Sequence, residues 1–145
     1  MLTHILLPTD GSPLSDIAIE KGIQLARSLN AKVTGLCVVP RVYPSYYDGE
    51  IPGGLTEQAE EQLRTDAKVH LAALTRVARA AGVGCEVVVE TSDQPFEAIL
   101  MTAEEKGCDL IVMASHGRRG VAGILLGSET QKVLTHSKIP VLVFR

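Results

Sequence analysis

The sequence predicts an α/β fold: a single-domain, open, doubly wound, five-stranded parallel sheet with helices on both faces. Three observations predict it. Short apolar runs alternate with amphipathic stretches in the order βαβαβαβαβ, and such alternation is met by right-handed crossovers and a parallel sheet sandwiched by helices. The apolar runs are rich in Val, Ile and Leu without polar alternation, as in strands covered on both faces. The chain has 145 residues, 46% of them apolar and 21% charged, enough to bury one full core. No repeat, linker or low-complexity tract divides it, so one domain is expected over residues 1–145.

The elements follow in order. His4-Ile5-Leu6-Leu7-Pro8 is a buried-strand pattern, and Thr9-Asp10-Gly11-Ser12 after it is turn chemistry. Ser12 before Pro13 reads as an N-cap with proline in the first turn. The helix that follows carries Ala18, Gly22, Leu25 and Leu29 on one face, and Asn30 closes it. Val33 to Val39 is the second strand, ended by Pro40. Residues 40–55 hold three prolines, three glycines and all three tyrosines, which predicts a long surface loop. Tyr43, Tyr46 and Tyr47 either pack that loop onto the body or cover a ligand. Thr56 is expected to cap a long second helix with Ala59, Leu63, Ala67, Leu71, Leu74 and Ala78 as its stripe, stopped at Gly82. Cys85 to Val89 is the third strand. Ser92 or Asp93 then caps a helix bearing Phe96, Ile99, Leu100 and Ala103, which ends at Gly107. Asp109 to Ala114 is the fourth strand, followed by a glycine-rich segment from Gly117 to Gly127. Ser128 with Gln131 three residues on fits a capping box for the last helix, and Pro140 to Phe144 is the fifth strand.

Charge and cysteine content exclude several classes. The 14 bases and 17 acids leave a net charge of −3, without the basic footprint of a nucleic-acid binder. No apolar run approaches the ~20 residues of a membrane span, and the first residues lack the basic start of a signal peptide. Cys37, Cys85 and Cys108 form an odd, widely spaced set that suits neither a disulfide framework nor a zinc site, and they read as small core residues. A soluble, reduced, cytoplasmic domain is expected, with no nucleic acid and no membrane insertion. From Met113 onward there are five bases and one acid, a net +4 that leaves −7 on the rest of the chain. That basic quarter is either a solvated face or a local site for an anion such as phosphate.

Ligands of open parallel sheets bind at the carboxyl ends of the strands, where the strand order reverses. After the first strand stands Asp10, which either caps its turn or accepts hydrogen bonds from sugar hydroxyls. After the fourth stand Ala114, Ser115, His116 and Gly117, and nine residues later Gly127 and Ser128 open a helix. Glycine lets backbone approach an anion closely, and a helix N-terminus offers free N–H groups and a favourable dipole. Arg118 and Arg119 lie between, placed to close over phosphates or to sit in solvent. His116 either touches a phosphate or is simply a polar loop residue beside glycine. A Walker-type loop would need a lysine before Ser128, and a dinucleotide fingerprint would need more glycines after the first strand than Gly11 alone. A phosphoacceptor domain of this architecture would need an aspartate where Glu90 stands. His4, His70 and His136 show no spacing suited to a metal or a triad.

These residues resemble the universal stress proteins over the whole chain, from Pro8-Thr9-Asp10-Gly11-Ser12 to Lys138-Ile139-Pro140-Val141-Leu142-Val143. The most specific element is similar to that family's ATP signature: Gly, two residues, Gly, nine residues, Gly, then Ser or Thr. Ala114 stands at the first glycine position, Gly117 at the second, Gly127 at the third and Ser128 at the hydroxyl position. The resemblance implies an adenine nucleotide alpha hydrolase-like fold and a site for ATP, with or without magnesium on its phosphates. It implies Asp10 at the ribose, Val38 meeting adenine through its backbone, and Met113 and Ala114 flanking the ribose. Gly117, Gly127 and Ser128 would hold the phosphates, with the N–H groups of Glu129 and Thr130 nearby; Pro8, Thr9, His116 and Arg118 complete the expected nucleotide-binding set.

The expected function is a cytoplasmic, stress-responsive regulator that binds ATP as a homodimer and signals to a further protein partner. Rival readings are an enzyme that hydrolyses ATP or transfers its phosphate from the same site, and a nucleotide-independent dimerisation module. No general base for the enzyme reading stands out in the sequence. The fifth strand, Val141, Leu142, Val143 and Phe144, carries no interior charge. At a sheet edge it would present unpaired backbone, and pairing with its own copy across a two-fold axis would close that edge. The resemblance implies the same arrangement.

Overall fold

The computed structural model describes residues 1–43, 55–117 and 126–145. Its elements are β1 (His4–Pro8), α1 (Pro13–Leu29), β2 (Lys32–Val39), α2 (Leu55–Ala80), β3 (Cys85–Thr91), α3 (Pro95–Lys106), β4 (Leu110–Ala114), α4 (Ser128–His136) and β5 (Val141–Phe144). All five strands pair in parallel in the order β3-β2-β1-β4-β5. The chain winds outward from β1 to one side, then crosses back to β4 on the other. The reversal therefore lies between β1 and β4, and the loops after these two strands meet there.

Alternation along the strands divides the core between two layers. Ile5, Leu7, Val33 and Val112 pack with Ile19 and Ile23 of α1 and Leu74 and Ala78 of α2. Leu6, Leu36, Ile111 and Met113 point the other way, onto Ile99 and Ala103 of α3 and Val133 of α4. Burying each large aliphatic side chain contributes roughly 1.5–3 kcal/mol, so the central strands β1 and β4 anchor both layers. Close approach of α2 to the sheet depends on Gly35, where a Cβ would come within 2.8 Å of Leu74.

Helix ends follow the sequence in part. Ser12 Oγ accepts from Ser15 N at 3.2 Å, with Pro13 in the first turn. Asn30 and Gly107 close α1 and α3 in left-handed conformations. Three expected caps do not form. Helix α2 starts at Leu55, one residue before Thr56. The N-cap of α3 is Gln94 rather than Ser92 or Asp93. Ser92 Oγ instead accepts from Gln94 N, and the Asp93 carboxylate accepts from Arg41 N and the Tyr43 hydroxyl. The N-cap of α4 is Gly127, so Ser128 is the first helical residue and the capping box with Gln131 is absent. Gln131 turns its side-chain amide back to the Leu126 carbonyl.

Two patterns also need correction. Ala59, expected in the buried stripe of α2, is exposed, whereas Ala67, Leu71, Leu74 and Ala78 are buried. Strands β3 and β5 are half-exposed rather than covered on both faces, because both lie at sheet edges. The readings for Tyr46, Tyr47, Arg118 and Arg119 fall outside the described residues.

Candidate functional site

The carboxyl ends of the strands are tied together by backbone. Thr9 N donates to Leu36 O at 2.8 Å, Ser115 N to Phe144 O at 2.7 Å, and Gly127 N to Ser115 O at 2.7 Å. The last bond brings the entry to α4 directly against the end of β4. Thr130, 3% exposed, reinforces it by donating its hydroxyl to Ala114 O at 3.0 Å.

Asp10 is held by its own turn. Its Oδ1 accepts from Ser12 N and Ser15 Oγ, both at 2.9 Å, while Thr9 Oγ1 accepts from Gly11 N at 3.1 Å. Gly11 takes a positive φ of 77°. A Cβ there would overlap the His70 ring of α2. On the other side of the gap, a Cβ on Gly117 would overlap Asp10 Oδ2. Glycine at 117 is thus what lets the β1 and β4 loops touch. Gly127 has an ordinary φ of −68°. Its need for glycine is spatial, because a Cβ would sit 3.2 Å from His116 Cα and 3.3 Å from Ser115 O.

Among the described residues, the start of α4 offers unused donors. No side chain caps it, and Gly127 O already accepts from Gln131 N. Among the described residues nothing accepts from the N–H groups of Ser128, Glu129 and Thr130. A helix N-terminus with free donors attracts an anion through both hydrogen bonds and dipole. The Glu129 carboxylate does not compete for that place. It reaches across to α3, where Oε2 accepts from Phe96 N at 2.9 Å and Oε1 lies 3.4 Å from Lys132 Nζ. One acid therefore caps α3 and leaves the α4 terminus open.

The named positions thus fall into three groups. Asp10, Gly117, Gly127 and the first turn of α4 surround the gap between the β1 and β4 loops. Thr9, Met113, Ala114 and Thr130 are each 7% exposed or less, and Met113 packs into the α3–α4 layer. Pro8 and Val38 are half-buried at the ends of β1 and β2, and the His116 ring lies 3.1 Å from Ser115 Oγ. Arg118 is outside the described residues. No three His, Cys, Asp or Glu side chains among the described residues come together as a metal site.

One participant escaped the sequence reading. His70 lies over Gly11, although its place beside Ala67, Leu71 and Leu74 on one helix face was a usable signal. Tyr43 follows the first of its two readings, against the body: it donates to Asp93, which lowers the Asp93 carboxyl and raises the Tyr43 phenol. This fastens the start of the long loop to the turn before α3.

Known proteins share the fold and the sequence pattern of the whole chain. The sequence model of the universal stress protein family matches residues 1–145. Universal stress protein MJ0531 of Methanocaldococcus jannaschii is 33% identical over 141 residues, spanning 97% of this chain and 81% of that one. Universal stress protein UspA from Lactobacillus plantarum shares the fold with a TM-score of 0.85 at 23% identity, over 99% of this chain and 98% of that one. A universal stress protein solved in complex with cAMP is 26% identical with a TM-score of 0.71, over 99% and 97% of the two chains. With its whole length matched and its strand order that of an open parallel sheet, this chain belongs to the universal stress protein family.

Proposed function

We propose that the chain is a cytoplasmic regulator that binds ATP in the gap between the β1 and β4 loops and works as a homodimer. The observation that carries this reading is the open N-terminus of α4, three N–H groups without an acceptor among the described residues, beside a glycine-dependent junction. The phosphates lie against these donors and the Gly117 and Gly127 backbone. Ser128 contributes its exposed hydroxyl, and Arg118 joins the set on sequence alone. Asp10 takes the ribose hydroxyls, and Pro8, Thr9, Val38, Met113 and Ala114 supply backbone walls for the nucleoside. Magnesium, where present, rides on the phosphates. The adenine nucleotide in a similar protein's complex supports the ligand class.

The role is binding rather than turnover. Hydrolysis needs a base that positions water at the terminal phosphate, and the residues assigned here cradle phosphate without supplying one. No helix among the described residues is long and apolar enough to cross a membrane. Subunits pair through β5, the sheet edge next to β4, where Leu142 is 38% exposed.

Protein purified without added nucleotide should release an adenine-absorbing ligand on denaturation, or bind ATP when stripped of it, and should release phosphate only slowly. Prompt multiple-turnover phosphate release abolished by Asp10→Ala would favour the enzyme. Absence of any adenine nucleotide binding would favour the dimerisation module.

A further inference from the structure

The far edge of the sheet carries a second surface, unrelated to the strand ends. Between α2 and β3 runs an open groove of about 530 Å³. Its floor is Leu71, Val87 and Val89, with Val87 44% exposed. Its rim is Lys68, Arg76 and Arg79, spaced along one face of α2. Among the described residues none of these three cations has a carboxylate within ion-pair distance. The acids of β3 do not serve them. Glu86 accepts from Thr34 and meets Lys106 on the opposite face of the sheet, and Glu90 shares that parity. In a chain of net charge −3, this is a concentrated cationic rim over apolar side chains.

Among the described residues the backbone beside the rim is also without hydrogen-bond partners. Val33 N donates to Gly84 O and Ser92 N to Val39 O. These bonds turn the even-numbered residues of β3 toward β2, so the N–H and C=O groups of Val87 and Val89 face outward. Natural sheets blunt such edges with charge or proline within the strand. The charges of β3, Glu86 and Glu90, lie on the face away from α2, so on the α2 side the edge presents Val87 and Val89 beneath the cations of the helix.

We infer that this groove docks an extended acidic segment of a partner protein, added as a sixth strand along β3. Main-chain bonds to Val87 and Val89 give it register. One alternate set of its side chains points toward α2, where carboxylates meet Lys68, Arg76 and Arg79. The other set points to the opposite face, beside half-buried Val88. The free edge requires an extended polypeptide, and the cation rim requires that it be acidic.

The test is fluorescence anisotropy of a short labelled peptide alternating glutamate and valine, titrated with the full chain. A lysine–valine peptide of the same length is the control. Saturable binding of the glutamate peptide alone is expected, weakened several-fold between about 50 and about 500 mM salt. The double variant Arg76→Glu/Arg79→Glu should bind at least about tenfold more weakly, since both changes lie on the solvated rim. Val87→Pro should keep the far-ultraviolet circular dichroism, because proline is tolerated on an edge strand, yet lose binding with its outward N–H. The proposal is overturned if the glutamate peptide does not bind, or if it binds the charge-reversed and proline variants as well as the parent. Equal competition by a single-stranded oligonucleotide would reduce the rim to a general anion surface and also overturn it. A halved sedimenting mass for Val87→Pro would assign the edge to a second copy of this chain instead.

Discussion

Glu129 shows how one side chain decides what a neighbouring helix can do. By bonding Phe96 N it satisfies the start of α3, and it keeps its charge off the start of α4. Glu129→Ala should therefore destabilise the fold by about 1 kcal/mol, the usual worth of a lost cap. ATP affinity should stay within about twofold of the parent. Thermal unfolding and nucleotide titration of the same variant check the two halves. His4 carries a different prediction. It is 3% exposed, with Nε2 2.7 Å from Thr34 Oγ1, and Thr34 donates to Glu86 Oε1 at 3.1 Å. Burial lowers the His4 pKa and the nearby Lys32 charge adds to this, against Glu86, Asp109 and the Lys106 backbone. The Thr34 hydroxyl, helped by Lys106, lowers Glu86 despite some burial. For Asp109 burial acts upward but is outweighed by bonds from His4 N, Thr3 N and the Thr3 hydroxyl. All three signs agree. The unfolded chain takes up protons more readily at each group, so stability falls with acidification. The His4 contribution begins as pH drops through its ordinary 6.5. Those of Glu86 and Asp109 follow as pH drops from the ordinary carboxylate range through their lowered values. Denaturant titrations across pH should show this decline, and His4→Asn should flatten its upper part alone.

Helices and strands were legible in the sequence wherever a local rule acted alone. Ser12-Pro13, Asn30 and Gly107 each mark a helix end by their own conformational preference, and all three ends form as read. Ends that depend on distant partners were not legible. Ser92 and Asp93 are engaged in the turn and with the 41–43 segment, so neither is left to cap α3, whose donor is met from α4 by Glu129. Ser128 fails as an N-cap because Gly127 N is drawn to Ser115 O, moving the cap back one residue. Strand β3 runs beyond Val89 to Thr91 because β2 continues to offer pairs as far as Val39. The candidate site follows the same division. The glycine spacing pointed to Gly117 and Gly127, whereas the reasons for those glycines, Asp10 and the His116 backbone, come from the tertiary fold. Helix α4 yields a prediction on this basis. Thr130→Val should cost about 1–2 kcal/mol by leaving the Ala114 carbonyl without its hydroxyl partner. Ser128→Ala should cost little stability, since its side chain is exposed and caps nothing. Chemical denaturation of the two variants distinguishes them.

At the scale of the whole molecule, the two sheet edges divide the proposed tasks. Strand β5 lies next to β4 and the nucleotide loops, and β3 lies two strands beyond β1. In β5, Val141 and Val143 pack against the α3–α4 layer, whereas Leu142 is 38% exposed. Leu142→Glu is therefore the variant that tests dimerisation without emptying the core. It should sediment as a folded monomer, and an unchanged sedimentation profile would remove β5 as the interface. The central claim is that nucleotide binds between the β1 and β4 loops. Isothermal titration of stripped protein with ATP and with adenosine tests it most directly, using the parent, Asp10→Ala and Gly127→Val. The parent should bind ATP more tightly than adenosine. Asp10→Ala should weaken both by roughly tenfold, the scale of one lost charged hydrogen bond, and Gly127→Val should abolish the advantage of ATP. ATP affinity unchanged in both variants would contradict the account.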